Sequence, residues 1–145
     1  MKVRATAIPG SDSAYSVIDE EPDELRRNLL GWFLADSERN EDLVLAELAK
    51  AEMGTPVIDV TNNCAYASMY PDGRVEITPR EFLLAESEQE SPPKVVITIA
   101  EARKLIVDWL AAEKEWYAAR DAQRLSQEQS VAEAAREVEL DDTKG

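Results

Sequence analysis

The chain has no histidine and a single cysteine, Cys64. Without histidine there is no usual general base for a serine or cysteine nucleophile. The same shortage removes the side chains that zinc prefers. One cysteine cannot close an internal disulfide, so nothing argues for an oxidising compartment. Glycine is scarce as well, five in 145 residues, and no P-loop or dinucleotide fingerprint is found among them. No stretch reads as an EF-hand loop; Asp59-Val60-Thr61-Asn62 is too sparse to count. No apolar run approaches the ~18–20 residues that cross a bilayer. Lys2 and Arg4 are followed by no apolar segment before Pro9-Gly10, so no signal peptide is visible. The absences predict a cytoplasmic protein that is not an enzyme and has no metal, no cofactor and no membrane contact. The many carboxylates leave paired-acid glycoside chemistry open, but no spacing singles out a pair.

What is present is acid. Thirty Asp and Glu face sixteen Lys and Arg, a formal net charge of -14. Such a charge repels phosphate backbones and anionic membranes. Direct nucleic-acid binding is disfavoured and a basic protein partner is favoured. Solubility alone is the competing explanation of the same charge. A hydrophobic content of 44% is enough for a core, and the length fits one domain.

The pattern predicts an α+β fold: a small, mostly antiparallel sheet, a helix pair before it and a long C-terminal helix after it. Residues 2–8 alternate as a weak strand, and Tyr15 to Ile18 form a hairpin with it or a flexible arm. A helix is expected to start near Pro22, with Leu25, Leu29, Trp32 and Phe33 as its buried stripe. Asn40 reads as the cap of a second helix with Leu45, Leu48 and Ala49 inward, ended by Gly54 and Pro56. Val57 to Thr61, Cys64 to Tyr70, Arg74 to Thr78 and Lys94 to Ile97 read as strands. Asn62-Asn63 and Tyr70-Pro71-Asp72-Gly73 are the expected turns. Thr98-Ile99-Ala100-Glu101 is a capping box opening the last helix. Ser126 and Ser130 begin similar boxes, where that helix is open to a break. Residues 1–140 are expected as one domain, 118–140 as a helical arm, and 141–145 as a disordered tail.

The second turn fixes a register that sorts the hairpin into two faces. Ala65, Ala67, Met69, Val75 and Ile77 make an apolar bed for the Trp109 face of the last helix. Cys64, Tyr66, Ser68, Tyr70, Arg74, Glu76 and Thr78 make a half-polar face. Tyr66 and Tyr70 are expected to stay partly exposed, because tyrosine gives contact area with a polar tip. The alternative is that the helix pair covers them. Among the acids, Asp36, Glu38, Glu41 and Asp42 fit a solvated helix–helix turn. Glu86, Glu88 and Glu90 have no such local reason and are the partner-binding candidates, with Asp19, Glu20 and Glu21 beside them.

Asn63-Cys64-Ala65-Tyr66-Ala67-Ser68-Met69-Tyr70-Pro71-Asp72-Gly73, followed by Val95-Val96-Ile97-Thr98 and the helix from Glu101 to Trp109, resembles small bacterial immunity proteins. These are the cognate inhibitors of toxin–immunity systems. The resemblance covers residues 57–117. It implies a stoichiometric, non-enzymatic inhibitor, acidic because its toxin is a basic nuclease. The function expected is occlusion of such an effector, with carboxylates in the place of substrate phosphates and tyrosines as anchors. One alternative is a nucleic-acid mimic that blocks a DNA- or RNA-guided defence enzyme. Another is a structural or adaptor subunit docking through residues 118–140.

Overall fold

The computed structural model describes residues 1–61 and 63–144, with backbone alone at 59–61 and 138–144. The turn expected at Asn62-Asn63 therefore rests on a residue outside the described ones. Strands β1 (Lys2–Ala7) and β2 (Ala14–Asp19) pair antiparallel, with Val3 opposite Ile18 and Ala7 opposite Ala14. Gly10, at φ +75°, makes the connection. The segment is a hairpin and not a loose arm, because Ala14 and Ile18 are buried and β2 packs on the first helix.

That helix, α1 (Glu24–Ser37), begins after Asp23, whose carboxylate accepts the Arg26 N–H at 3.0 Å. Pro22 lies just outside it. The buried face is Leu29, Leu30, Phe33, Leu34 and Ser37. The expected stripe is thus rotated: Leu25 is 43% exposed and Trp32 only half-buried. Leu30 and Leu34 turn inward because α1 packs on β2 as well as on the main sheet. Helix α2 (Glu41–Glu52) buries Val44, Leu48 and Ala51, while Ala49 is exposed and Leu45 half-buried. Asn40 stands at its N-cap but its side chain makes no capping bond. Gly54 at φ +108° ends it, and the Thr55 N–H reaches back to the Lys50 carbonyl at 3.1 Å.

Four antiparallel strands follow in the order β3 (Val57–Thr61), β4 (Ala65–Met69), β5 (Arg74–Pro79) and β6 (Val95–Thr98). The β4–β5 turn closes through Tyr70 N–H to the Arg74 carbonyl at 2.9 Å, with Gly73 at φ +93°. It sets Met69 opposite Val75 and Ala67 opposite Ile77, the register its residues imply. Thr98 and Glu101 exchange side-chain-to-backbone bonds of 3.0 and 3.3 Å and open α3 (Ile99–Lys144). The helix runs on through Ser126 and Ser130 without a break.

The chain forms two compact units, Met1–Glu113 and the segment from Lys114 onward. In the first, Ala65, Ala67, Met69, Val75, Ile77, Val95 and Ile97 are buried on one sheet face. The helix backbone packed against β4, β5 and β6 is that of α1, and α2 lies against β3 and β4. The helix pair thus shares this apolar bed, which the sequence pattern assigned to the Trp109 helix. Two alanines on that face leave room for the large α1 side chains. Trp109 is fully buried, and its indole N–H donates to Glu41 of α2 at 3.2 Å. In the second unit Trp116 and Tyr117 meet edge to face at 4.9 Å, with the Arg120 guanidinium 4.7 Å from the Tyr117 ring. Residues 121–137 are all exposed. Among the described residues no helix is long and apolar enough to cross a membrane.

Candidate protein-binding face

With α1 and α2 on the apolar side, the outer face of β4, β5 and β6 is partly exposed, although Ser68 at the middle of β4 is buried. Tyr66 and Tyr70 are each half-buried there, as expected, and Val96 on β6 is 44% exposed. Both tyrosines are held in place. The Tyr66 hydroxyl sits 3.0 Å from each carboxylate oxygen of Glu81. The Arg74 guanidinium lies 4.5 Å above the Tyr70 ring. Arg74 also bonds Glu76 at 2.9 Å, and Lys94 reaches the same carboxylate at 3.4 Å. Asp72 pairs with Arg74 as well, at 3.4 Å, so both cations of the tyrosine face are matched by carboxylates. Its own backbone N–H and the Tyr66 hydroxyl hold the Glu81 carboxyl below its ordinary range.

The acid lies in the connection from β5 to β6. This segment carries two 3₁₀ turns, Glu81–Leu83 and Glu86–Glu88. Glu86, Glu88 and Glu90 are exposed. Glu88 does have a local role, because its carboxylate accepts the Ala85 N–H at 3.1 Å. Only Glu86 and Glu90 keep the character expected of all three.

Asp19, Glu20 and Glu21 belong to the other sheet and its exit, and each sits beside a cation. Asp19 takes Arg4 at 2.8 Å, Glu20 takes Lys2 at 3.4 Å, and Glu21 takes Arg26 at 3.1 Å. The Arg4 hydrogen bond pulls the Asp19 carboxyl below its ordinary range. Glu21 also accepts the Asp23 N–H. These three close the hairpin and the α1 entry, and Arg26 links Glu21 on to Glu101 of α3 at 3.2 Å.

The solvated turn expected around Asp36, Glu38, Glu41 and Asp42 is largely buried instead, and only Asp42 is exposed. Asp36 reaches across to β4 and accepts the N–H groups of Cys64 and Ala65 at 3.0 and 2.9 Å. It lines a cavity of about 20 Å³ with Phe33, Ser37, Val44, Glu47, Ala65, Ala67 and Met69. That is room for one water. Burial, then the neighbouring Asp36, pushes the Cys64 thiol up, which works against a reactive thiolate. No three Cys, Asp or Glu among the described residues converge to hold a metal ion.

Sequence reasoning placed Glu38 and Glu41 at the α1–α2 turn but missed their burial and the approach of Glu113 from α3. Burial raises the Glu38 carboxyl, with Glu113 and Glu41 adding repulsion; Glu113 rises through burial and Glu41, and Glu47 through burial. Each therefore binds its proton more tightly folded than unfolded. The penalty is full above the folded pKa and vanishes below the unfolded one, so stability falls as pH rises through this range. The urea midpoint is expected to be higher at pH 5 than at pH 8. Glu38→Gln should raise it at pH 8, and the gain should shrink as the pH is lowered towards 4.

No protein-family model, curated protein or solved structure matches this chain.

Proposed function

We propose that the chain is a non-catalytic, cytoplasmic inhibitor of immunity type, which binds and occludes a basic effector such as a nuclease toxin. The reading is carried by the partly exposed outer sheet face, where the half-buried Tyr66 and Tyr70 are fixed by Glu81 and Arg74. Aromatic side chains already ordered before contact lose little entropy on binding. The net charge of -14 favours a basic partner and would speed its capture at low salt. The pairing of Asp19, Glu20 and Glu21 with cations weighs against duplex-like rows of free carboxylates, and so against a nucleic-acid mimic.

The test is photo-crosslinking in the source cell from position 70 and, separately, from position 125. The partner is identified by mass spectrometry and its activity titrated with the pure chain. The expected result is a basic protein captured from position 70, inhibited at one equivalent, with Tyr66→Ala and Tyr70→Ala each weakening binding about tenfold or more. An acidic partner, or capture from position 125 alone, would refute it. The second outcome is that of an adaptor docking through α3, which Leu125 at 60% and Val131 at 69% exposure favour as the alternative.

A further inference from the structure

We infer that Phe82 is the apolar anchor of this contact, entering a pocket rimmed by Lys and Arg on the partner. The inference rests on the basic-partner reading and adds the element that makes the contact. Phe82 is 67% exposed and its neighbour Leu83 38%. Solvation of so much aromatic surface contributes nothing to folding. Yet the turn that carries it is pinned on every side. The Arg80 N–H donates to the Cys64 carbonyl, and the Leu83 and Leu84 N–H groups close on Arg80 and Glu81, all at 3.0 Å. Glu81 is clamped by Tyr66, and the Arg80 guanidinium stands 5.3 Å from the Phe82 ring. An aromatic displayed on a fixed turn has the form of an interface anchor.

The charge of the surrounding segment selects the occupant. Residues 80–93 hold one cation, Arg80, and four carboxylates, Glu81, Glu86, Glu88 and Glu90. A second copy would bring the same acidic segment to the contact, and nucleic acid is repelled outright. A basic protein surface with an apolar pocket meets both features. The glutamates lie along the rim, where charge sets capture rate and salt dependence more than residence time.

The probe is a random-peptide phage library panned on the immobilised full chain at low salt. Enriched peptides are then synthesised and titrated calorimetrically into wild type, Phe82→Ala and the triple variant E86Q/E88Q/E90Q. The expected peptides carry net positive charge and at least one large apolar residue. Phe82→Ala should weaken them at least tenfold while melting with wild type, since the side chain is exposed. The triple variant should lose much of the salt dependence. Basic peptides that bind Phe82→Ala as well as wild type would overturn the anchor and leave the basic-partner reading standing. Acidic or neutral peptides would overturn both, and an absence of enrichment would overturn the anchor. A concentration-dependent dimer of the chain that Phe82→Ala abolishes would assign the residue to self-association and overturn the inference as well.

Discussion

Trp109→Ala is expected to destabilise the protein by about 3–5 kcal/mol, the range for emptying a large aromatic site in a core. Trp109 is the largest fully buried side chain among the described residues. Its removal also takes the indole donor from Glu41, which is 9% exposed and accepts that N–H at 3.2 Å. A buried carboxylate left without its donor adds desolvation cost to the cavity cost. Domains of this kind hold only about 5–15 kcal/mol in all. The melting temperature should fall on the order of 10 °C or more. Trp109→Phe separates the two contributions. It keeps most of the ring volume and loses the N–H, so its cost should be about 1–2 kcal/mol. Urea unfolding followed by far-ultraviolet circular dichroism measures both. If the two variants proved equally damaging, the hydrogen bond would outweigh the packing.

The second large effect is expected at Asp36. Asp36→Ala leaves the Cys64 and Ala65 N–H groups without their carboxylate at the start of β4. One buried and one part-buried donor losing a charged acceptor should cost roughly 2–3 kcal/mol. The damage should also be local. Amide exchange at Ala65 should accelerate before exchange at Val75 or Ile77, which sit in the middle of the sheet. Asp36→Asn retains one acceptor oxygen and should recover about half of the lost stability. Uniform exchange throughout the sheet in Asp36→Ala would show that Asp36 supports the whole core and not the β4 entry.

These two residues mark the limit of what the sequence discloses. The β4–β5 hairpin was fully legible, because Pro71, Asp72 and Gly73 fix a turn and a turn fixes a register. The capping box at Thr98 and Glu101 was legible for the same reason: the bonds join residues three apart. That register put Tyr66 and Tyr70 on the half-polar face, but whether the helix pair would cover them was decided only by the packing of α1 and α2. The inward faces of α1 and α2 were misplaced by a fraction of a turn. Apolar spacing leaves several neighbouring stripes open, and only the surfaces packed on the helix choose among them.

The acids divided along the same line. Their surplus predicts a basic partner in the sequence alone, but their individual roles do not appear there. Asp36 binds a strand 28 residues on, and Glu41 meets an indole 68 residues on. Arg26 joins Glu21 nearby to Glu101 on α3. Phe82 escaped notice because nothing in Glu81-Phe82-Leu83 distinguishes a core aromatic from a displayed one. By itself the sequence determined the α+β order of elements, the hairpin register, the capping box of the last helix and the sign of the charge, since local backbone chemistry and composition suffice for these. Tertiary structure alone decided which carboxylates are buried, which are paired, and which aromatic is held out to solvent. Burial and pairing depend on side chains that only folding brings within a few ångströms.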